Sequence, residues 1–260
     1  MLHDARLGNV ETATANSEST ALNLRFAESL ESLQRLPASG QEAESIASIV
    51  GRSGTDVLSG FGATRNNLLS TELSQYKIIH LATHGLINQD RPELSAIVLS
   101  RFDEHGRPLD EPVRLQDIYA MKLNADLVVL SACQTAAGKE IKGEGVMGLN
   151  NAFLQSGARS VVASLWQVED NATNVLMREF YRGLADGRSV SSALREAQLV
   201  LYRDPQYRSP FFWAAFTLQG DMNRRPEISN GSTWWWFAAG GLAALVLIAI
   251  FGRRLSRRRR

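Results

Sequence analysis

"NADLVVLSACQTAAG", residues 124–138, is the stretch on which the fold turns. Its apolar run, Leu127 through Leu130, is short, β-rich and free of polar alternation. That is the texture of a strand covered on both faces. The run gives way to small and polar residues, with Cys133, the single cysteine of the chain, three positions beyond its last apolar residue. Working outward, "YKIIHLA" (76–82), "AIVLS" (96–100), "SVVASLW" (160–166) and "FWAAFTLQ" (212–219) have the same character. Helical spacing fills the intervals: 144–156 (Val146, Leu149, Ala152, Phe153), 171–186 (Val175, Leu176, Phe180, Leu184) and 189–202 (Val190, Ala193, Leu194, Ala197, Leu201). Three more helices are expected upstream, over 21–36 before Pro37, over 41–50 (Ala43, Ile46, Ala47, Val50) up to Gly51, and over 63–75. Apolar strands alternating with helices predict an α/β fold whose mostly parallel sheet is covered on both faces. The charged segment 101–114, with two prolines, reads as a hairpin or surface loop, and no internal repeat is present.

At 260 residues and 44% hydrophobic, the chain carries enough apolar material for one sizeable core and some appendages. Its net charge of +1 hides an asymmetry, because six arginines and no acid stand in the last eight residues, "RRLSRRRR". Without those six, 22 basic residues face 27 acidic ones, a net of −5. Nucleic-acid binding needs its positive charge on the folded domain, so no nucleic-acid partner is expected. One cysteine excludes an internal disulfide and the multi-cysteine zinc sites.

The tail makes sense beside "WWWFAAGGLAALVLIAIF", residues 234–251, which are 18 uncharged residues. As a helix they span about 27 Å, close to the hydrocarbon thickness of a bilayer. Trp234, Trp235 and Trp236 stand at one end, where indoles favour the headgroup level, and arginines at the other mark the cytoplasmic side. The expectation is a single-pass transmembrane helix in the lipid bilayer, followed by an arginine-rich cytoplasmic tail, 252–260. A C-terminal sorting signal has the same layout and stays open. Residues 1–20 and 223–233 read as linkers. Residues 1–20 hold no apolar stretch of signal-peptide length. An extracytoplasmic domain therefore requires an upstream export signal, and a tail-anchored topology is the alternative.

In open α/β sheets, sites form beyond the carboxyl ends of the strands. "YKIIHLA" is followed by Thr83, His84 and Gly85, and "DLVVLS" by Ala132, Cys133 and Gln134. Parallel strands would bring an imidazole and a thiol to one edge. A thiolate is strongly nucleophilic, and a neighbouring histidine can take its proton and pass it to a leaving amine. The backbone N–H groups of Gly85 and Cys133 are natural oxyanion donors. Each residue also has a plainer reading: Cys133 as a small buried hydrophobe, His84 as a structural histidine. His80 is in phase with His84 if the strand alternates strictly, and its place inside the apolar run suits a buried, hydrogen-bonded role. A His80/His84 metal pair lacks an obvious third ligand, so no metal or cofactor is expected. No G-x-S-x-G occurs, which argues against a serine α/β-hydrolase.

Four segments then carry a family resemblance: "IIHLATHG" (78–85), "VVLSACQTAAG" (128–138), "GEGVMGLNNAFLQSGARSVVASLWQVED" (143–170) and "PFFWAAFTLQGD" (210–221). In order and content they resemble the CHAT domain, of the caspase–separase clan of cysteine peptidases, across roughly residues 21–222. The resemblance implies a caspase-like three-layer α/β/α sandwich and hydrolysis of a protein or peptide substrate by a Cys133–His84 dyad. It assigns Glu144 and the segment Ser164, Leu165 and Trp166 to substrate binding, the latter by pairing with an extended peptide. Asp170 either contributes to the pocket or caps the following helix, with the cap favoured by its position. The resemblance also implies a tetratricopeptide-repeat region or partner outside this chain. The alternative function is a non-catalytic CHAT scaffold serving as a membrane-tethered protein-interaction module.

Overall fold

The computed structural model describes residue 33 and residues 36–88, 94–109, 112–131 and 144–228, with the backbone alone at 144–146. Cys133, nearly all of the expected helix over 21–36, the candidate span 234–251 and the arginine tail lie outside the described residues. Among the described residues no helix is long and apolar enough to cross a membrane.

The chain begins with α1 (Pro37–Val50) and α2 (Arg65–Ser70), then β1 (Ile78–Leu81), β2 (His84–Leu86), β3 (Ala96–Val98), β4 (Val113–Arg114) and α3 (Leu115–Ala120). It continues through β5 (Leu127–Leu130), α4 (Glu144–Gln155), β6 (Ser160–Ser164), α5 (Asp170–Ala185), α6 (Val190–Arg203), α7 (Pro210–Trp213) and β7 (Phe216–Gly220). The main sheet has the order β1-β5-β6-β7, parallel except for the antiparallel β6–β7 pair. This is the mostly parallel sheet of the sequence reading. A smaller antiparallel sheet, β2-β3-β4, stands beside it.

Strand β5 shows why its sequence lacks polar alternation. Leu127 and Val129 join the core cluster formed with α1, α5 and α6, while Val128 and Leu130 join the cluster formed with α3 and α4. Both faces of the sheet are therefore roofed by helices, and every β5 side chain is buried. Helix α5 buries Ala172 and Thr173, Leu176 and Met177, Phe180 and Tyr181, then Leu184, a stripe repeating every four residues. Helix α6 answers with Val190, Ala193, Leu194, Ala197 and Leu201. The Glu169 and Ser189 side chains each accept an amide hydrogen bond at the helix that follows, from Ala172 and Ser192.

Three expectations need correction. The strand expected from residue 212 starts at Phe216, because Pro210 at the first helical position and the Ser209 cap initiate α7 instead. His80 and His84 do not share a strand: β1 ends at Leu81, and His84 opens the other sheet. The cap of α5 is Glu169, whereas Asp170 is the helix's first residue. The charged excursion does contain a hairpin, with a Phe102–Pro108 bridge and Gly106 at φ 75° in its turn.

Candidate functional site

The carboxyl ends of β1, β5 and β6 meet the amino-terminal ends of α1 and α5 around a solvent-open cleft. Its walls include Glu42, Ala82, His84, Ser131, Ser164 and Asp170. No lysine or arginine is among the described residues that line it.

His84 reaches this cleft because Ala82 and Thr83 turn the chain out of the main sheet. The Thr83 hydroxyl donates to the carbonyl of Val98, pinning the turn to β3, and His84 pairs opposite Val98. Its side chain is 9% exposed, buried in the cleft wall rather than standing on the surface. Gly85 follows in the middle of β2, opposite Ile97 and buried. Ser131, at the end of β5, donates its amide to the Leu81 carbonyl at 3.2 Å. Its hydroxyl is buried and has no hydrogen-bond partner among the described residues. Ser131, which lines the cleft, stands two residues before Cys133 in sequence.

Ser164 lies at the last position of β6, where its hydroxyl donates to the Trp166 carbonyl. β6 is flanked by β5 and β7, and the Leu165 amide donates to Ala215 at 2.9 Å, so no strand edge is open through Leu165. The Trp166 indole donates to the Phe211 carbonyl at 3.0 Å. Backbone amides available to an extended peptide begin beyond that point: those of Trp166, Gln167 and Val168 donate to no group among the described residues. Glu144 opens α4, and its side chain lies outside the described residues, as Cys133 does. The structure thus brings His84, Ser164 and Asp170 to one cleft.

His80 occupies a different environment. Its Nε2 is 2.9 Å from Glu42 Oε1, and its Nδ1 is 3.0 Å from the Tyr181 hydroxyl. Burial, and secondarily the Glu42 charge, push the Tyr181 phenol well above its ordinary value, so it remains protonated. Both ring nitrogens are therefore engaged, Nδ1 with the phenol and Nε2 with the carboxylate. Neither is left for a metal.

Glu42 is the residue that sequence reasoning missed. The α1 stripe was read from Ala43, Ile46, Ala47 and Val50, leaving Glu42 as one of the polar residues. The available signal was its spacing: Glu42 precedes Ile46 by four positions, placing a carboxylate in phase with the apolar stripe. It is 5% exposed and lines the cleft.

Residues 4–221 match the CHAT domain. Among curated proteins, the chain is 30% identical to human "Tetratricopeptide repeat protein 28" and 29% identical to its mouse counterpart. Each alignment runs over 219 residues and covers 71% of this chain but only 8% of the relative. The chain therefore spans less than a tenth of the length of these relatives. With the fold, the ordered motifs and a match over most of its length in agreement, the chain belongs to the CHAT domain family, within the caspase-like peptidase clan.

Proposed function

We propose that the chain is a caspase-like cysteine endopeptidase, tethered to a membrane through residues 234–251. The observation that carries the reading is His84, buried in the wall of a cleft that also receives the end of β5, two residues before the single cysteine. In this mechanism His84 accepts the Cys133 thiol proton while sulfur attacks the scissile carbonyl carbon. The C–N bond then breaks, His84 protonates the leaving amine, and a thioester remains. Water attacks the thioester, giving its proton to His84, and the C–S bond breaks to regenerate the thiol. Gly85 and Cys133 backbone amides serve the oxyanion, and the amides of Trp166 to Val168 offer a track for the extended peptide.

The test is covalent labelling by peptidyl electrophiles followed by mapping of the adduct. Labelling at Cys133 that disappears in Cys133→Ala and drops in His84→Ala supports the reading. Unchanged labelling in Cys133→Ala removes it and leaves the non-catalytic scaffold. The tether is tested separately: deletion of residues 234–260 is expected to move the protein from the detergent-requiring fraction to the aqueous one.

A further inference from the structure

We propose that the cleft selects a cationic side chain, lysine or arginine, and that Glu42 is the residue that binds it. The occupant being a peptide side chain rests on the peptidase reading above; the charge selection rests on the cleft itself.

Glu42 spends one oxygen, Oε1, on His80, and nothing else among the described residues bonds its carboxylate. The His80 it bonds is held in turn by the Tyr181 hydroxyl, so the carboxylate is fixed in place with its second oxygen unbonded among the described residues. A buried carboxylate oxygen that faces a cavity without a donor is costly unless a ligand supplies one. Asp170 adds a second carboxylate at the more exposed rim, and no lysine or arginine is among the described residues that line the space. Two helix starts, those of α1 and α5, oppose this by adding partial positive charge. They count for less than two full carboxylates, because one first-turn amide of each is already engaged: Ser39 N–H by the Leu36 carbonyl, Ala172 N–H by the Glu169 side chain.

An independent observation points to a ligand. Ser131 is 4% exposed and lines the same cleft, and its hydroxyl has no partner among the described residues. A buried hydroxyl without a partner is an incomplete site, and it can accept a hydrogen bond from an ammonium or guanidinium that also reaches Glu42. Tyr181 and His80 act as positioning residues, setting the Glu42 carboxylate before anything binds.

The experiment uses the full chain carrying Cys133→Ala, so that binding is read without turnover. Two tetrapeptide amides, identical except for lysine or norleucine at the last position, are titrated calorimetrically. The lysine peptide is expected to bind at least about tenfold more tightly, the scale of a charge-assisted contact. Adding Glu42→Gln, which keeps an oxygen acceptor for His80, is expected to erase the difference while leaving norleucine-peptide affinity within about twofold. A smaller loss is expected for Asp170→Asn. Equal affinities, no measurable binding of the lysine peptide, or a lysine preference surviving Glu42→Gln overturns the proposal; thermal unfolding of Glu42→Gln separates a lost fold from lost selectivity. Selective binding in a protein whose cysteine takes no electrophile would keep this proposal and remove the peptidase.

Discussion

The two ends of the parallel sheet handle buried polar groups in opposite ways. At the amino ends, Asp126 is 3% exposed and its charge is paired: Arg224 lies 2.6 Å from its carboxylate, Arg159 lies 3.5 Å away, and its amide donates to the Lys77 carbonyl. Arg224 in turn offers its carbonyl to the first amide of α6, tying the segment after β7 to the helical layer. At the carboxyl ends, among the described residues, the Ser131 hydroxyl has no partner and the Glu42 carboxylate has only His80. One end sets its buried carboxylate against two guanidinium groups and stabilises the fold. The other keeps unspent hydrogen-bonding capacity, which is where a ligand gains affinity and where the fold gives up stability.

Substitutions should separate the two ends, since those at the carboxyl end ought to lose chemistry and those at the amino end stability. The largest expected effect is that of His84→Ala, which should slow Cys133 labelling or peptide hydrolysis at least about hundredfold, the scale of a lost general base. Its denaturation midpoint should change far less than its rate; an equal collapse in both would return His84 to a structural role.

Arg224→Ala should do the reverse. Leaving Asp126 buried with the more distant Arg159 is expected to cost about 3 kcal/mol in urea unfolding, with little change in the labelling rate of the protein that remains folded. Adding Asp126→Asn should restore part of that loss. If Arg224→Ala unfolds at the wild-type midpoint, the amino-end charge knot is not a stabilising device.

Gly157→Ala tests the same end through the backbone. Gly157 has φ 114°, and a Cβ there would sit 2.2 Å from the Leu123 carbonyl oxygen. Backbone of that kind cannot move aside, so a loss of about 2 kcal/mol is expected from strain and clash. A neutral result would mean that the turn between α4 and β6 can rearrange.

The smallest effect concerns the anchoring of the small sheet. Burial alone would raise the Asp117 carboxyl, but the Arg65 guanidinium and the Arg114 amide outweigh it and hold Asp117 below its ordinary value. A depressed carboxyl contributes stability above its unfolded pKa, and that contribution fades as pH falls through the folded one. Asp117→Asn is thus expected to cost about 1 kcal/mol at neutral pH, with the gap between variant and wild type closing only once the pH falls below the ordinary carboxylate range. A gap that persists in acid would mean that the carboxyl's charge is not what matters.

Much of this architecture was legible from residue pattern. The apolar run Leu127–Leu130 announced a strand covered on both faces, and the two core clusters split it residue by residue. The stripes of α5 and α6 were readable because each buries one face against the same sheet. The strand-end rule led to His84 and to the end of β5. Illegible were the features that depend on partners distant in sequence. α3 is six residues long and is stabilised by Asp117 reaching Arg65, 52 residues away. The separate sheet that carries His84 depends on pairing with Val98 rather than on any local signal.

The sequence by itself determined the alternation of strands and helices, the family, and the candidate dyad, because burial on both faces and motif order are written in contiguous residues. Only the tertiary structure decided what the two histidines are for. They stand four positions apart in chemically similar text, yet one faces Glu42 from α1 and Tyr181 from α5, while the other faces an open cleft. An imidazole's role is set by the groups that reach its two nitrogens, and those groups arrive from elements 38 and 101 residues away.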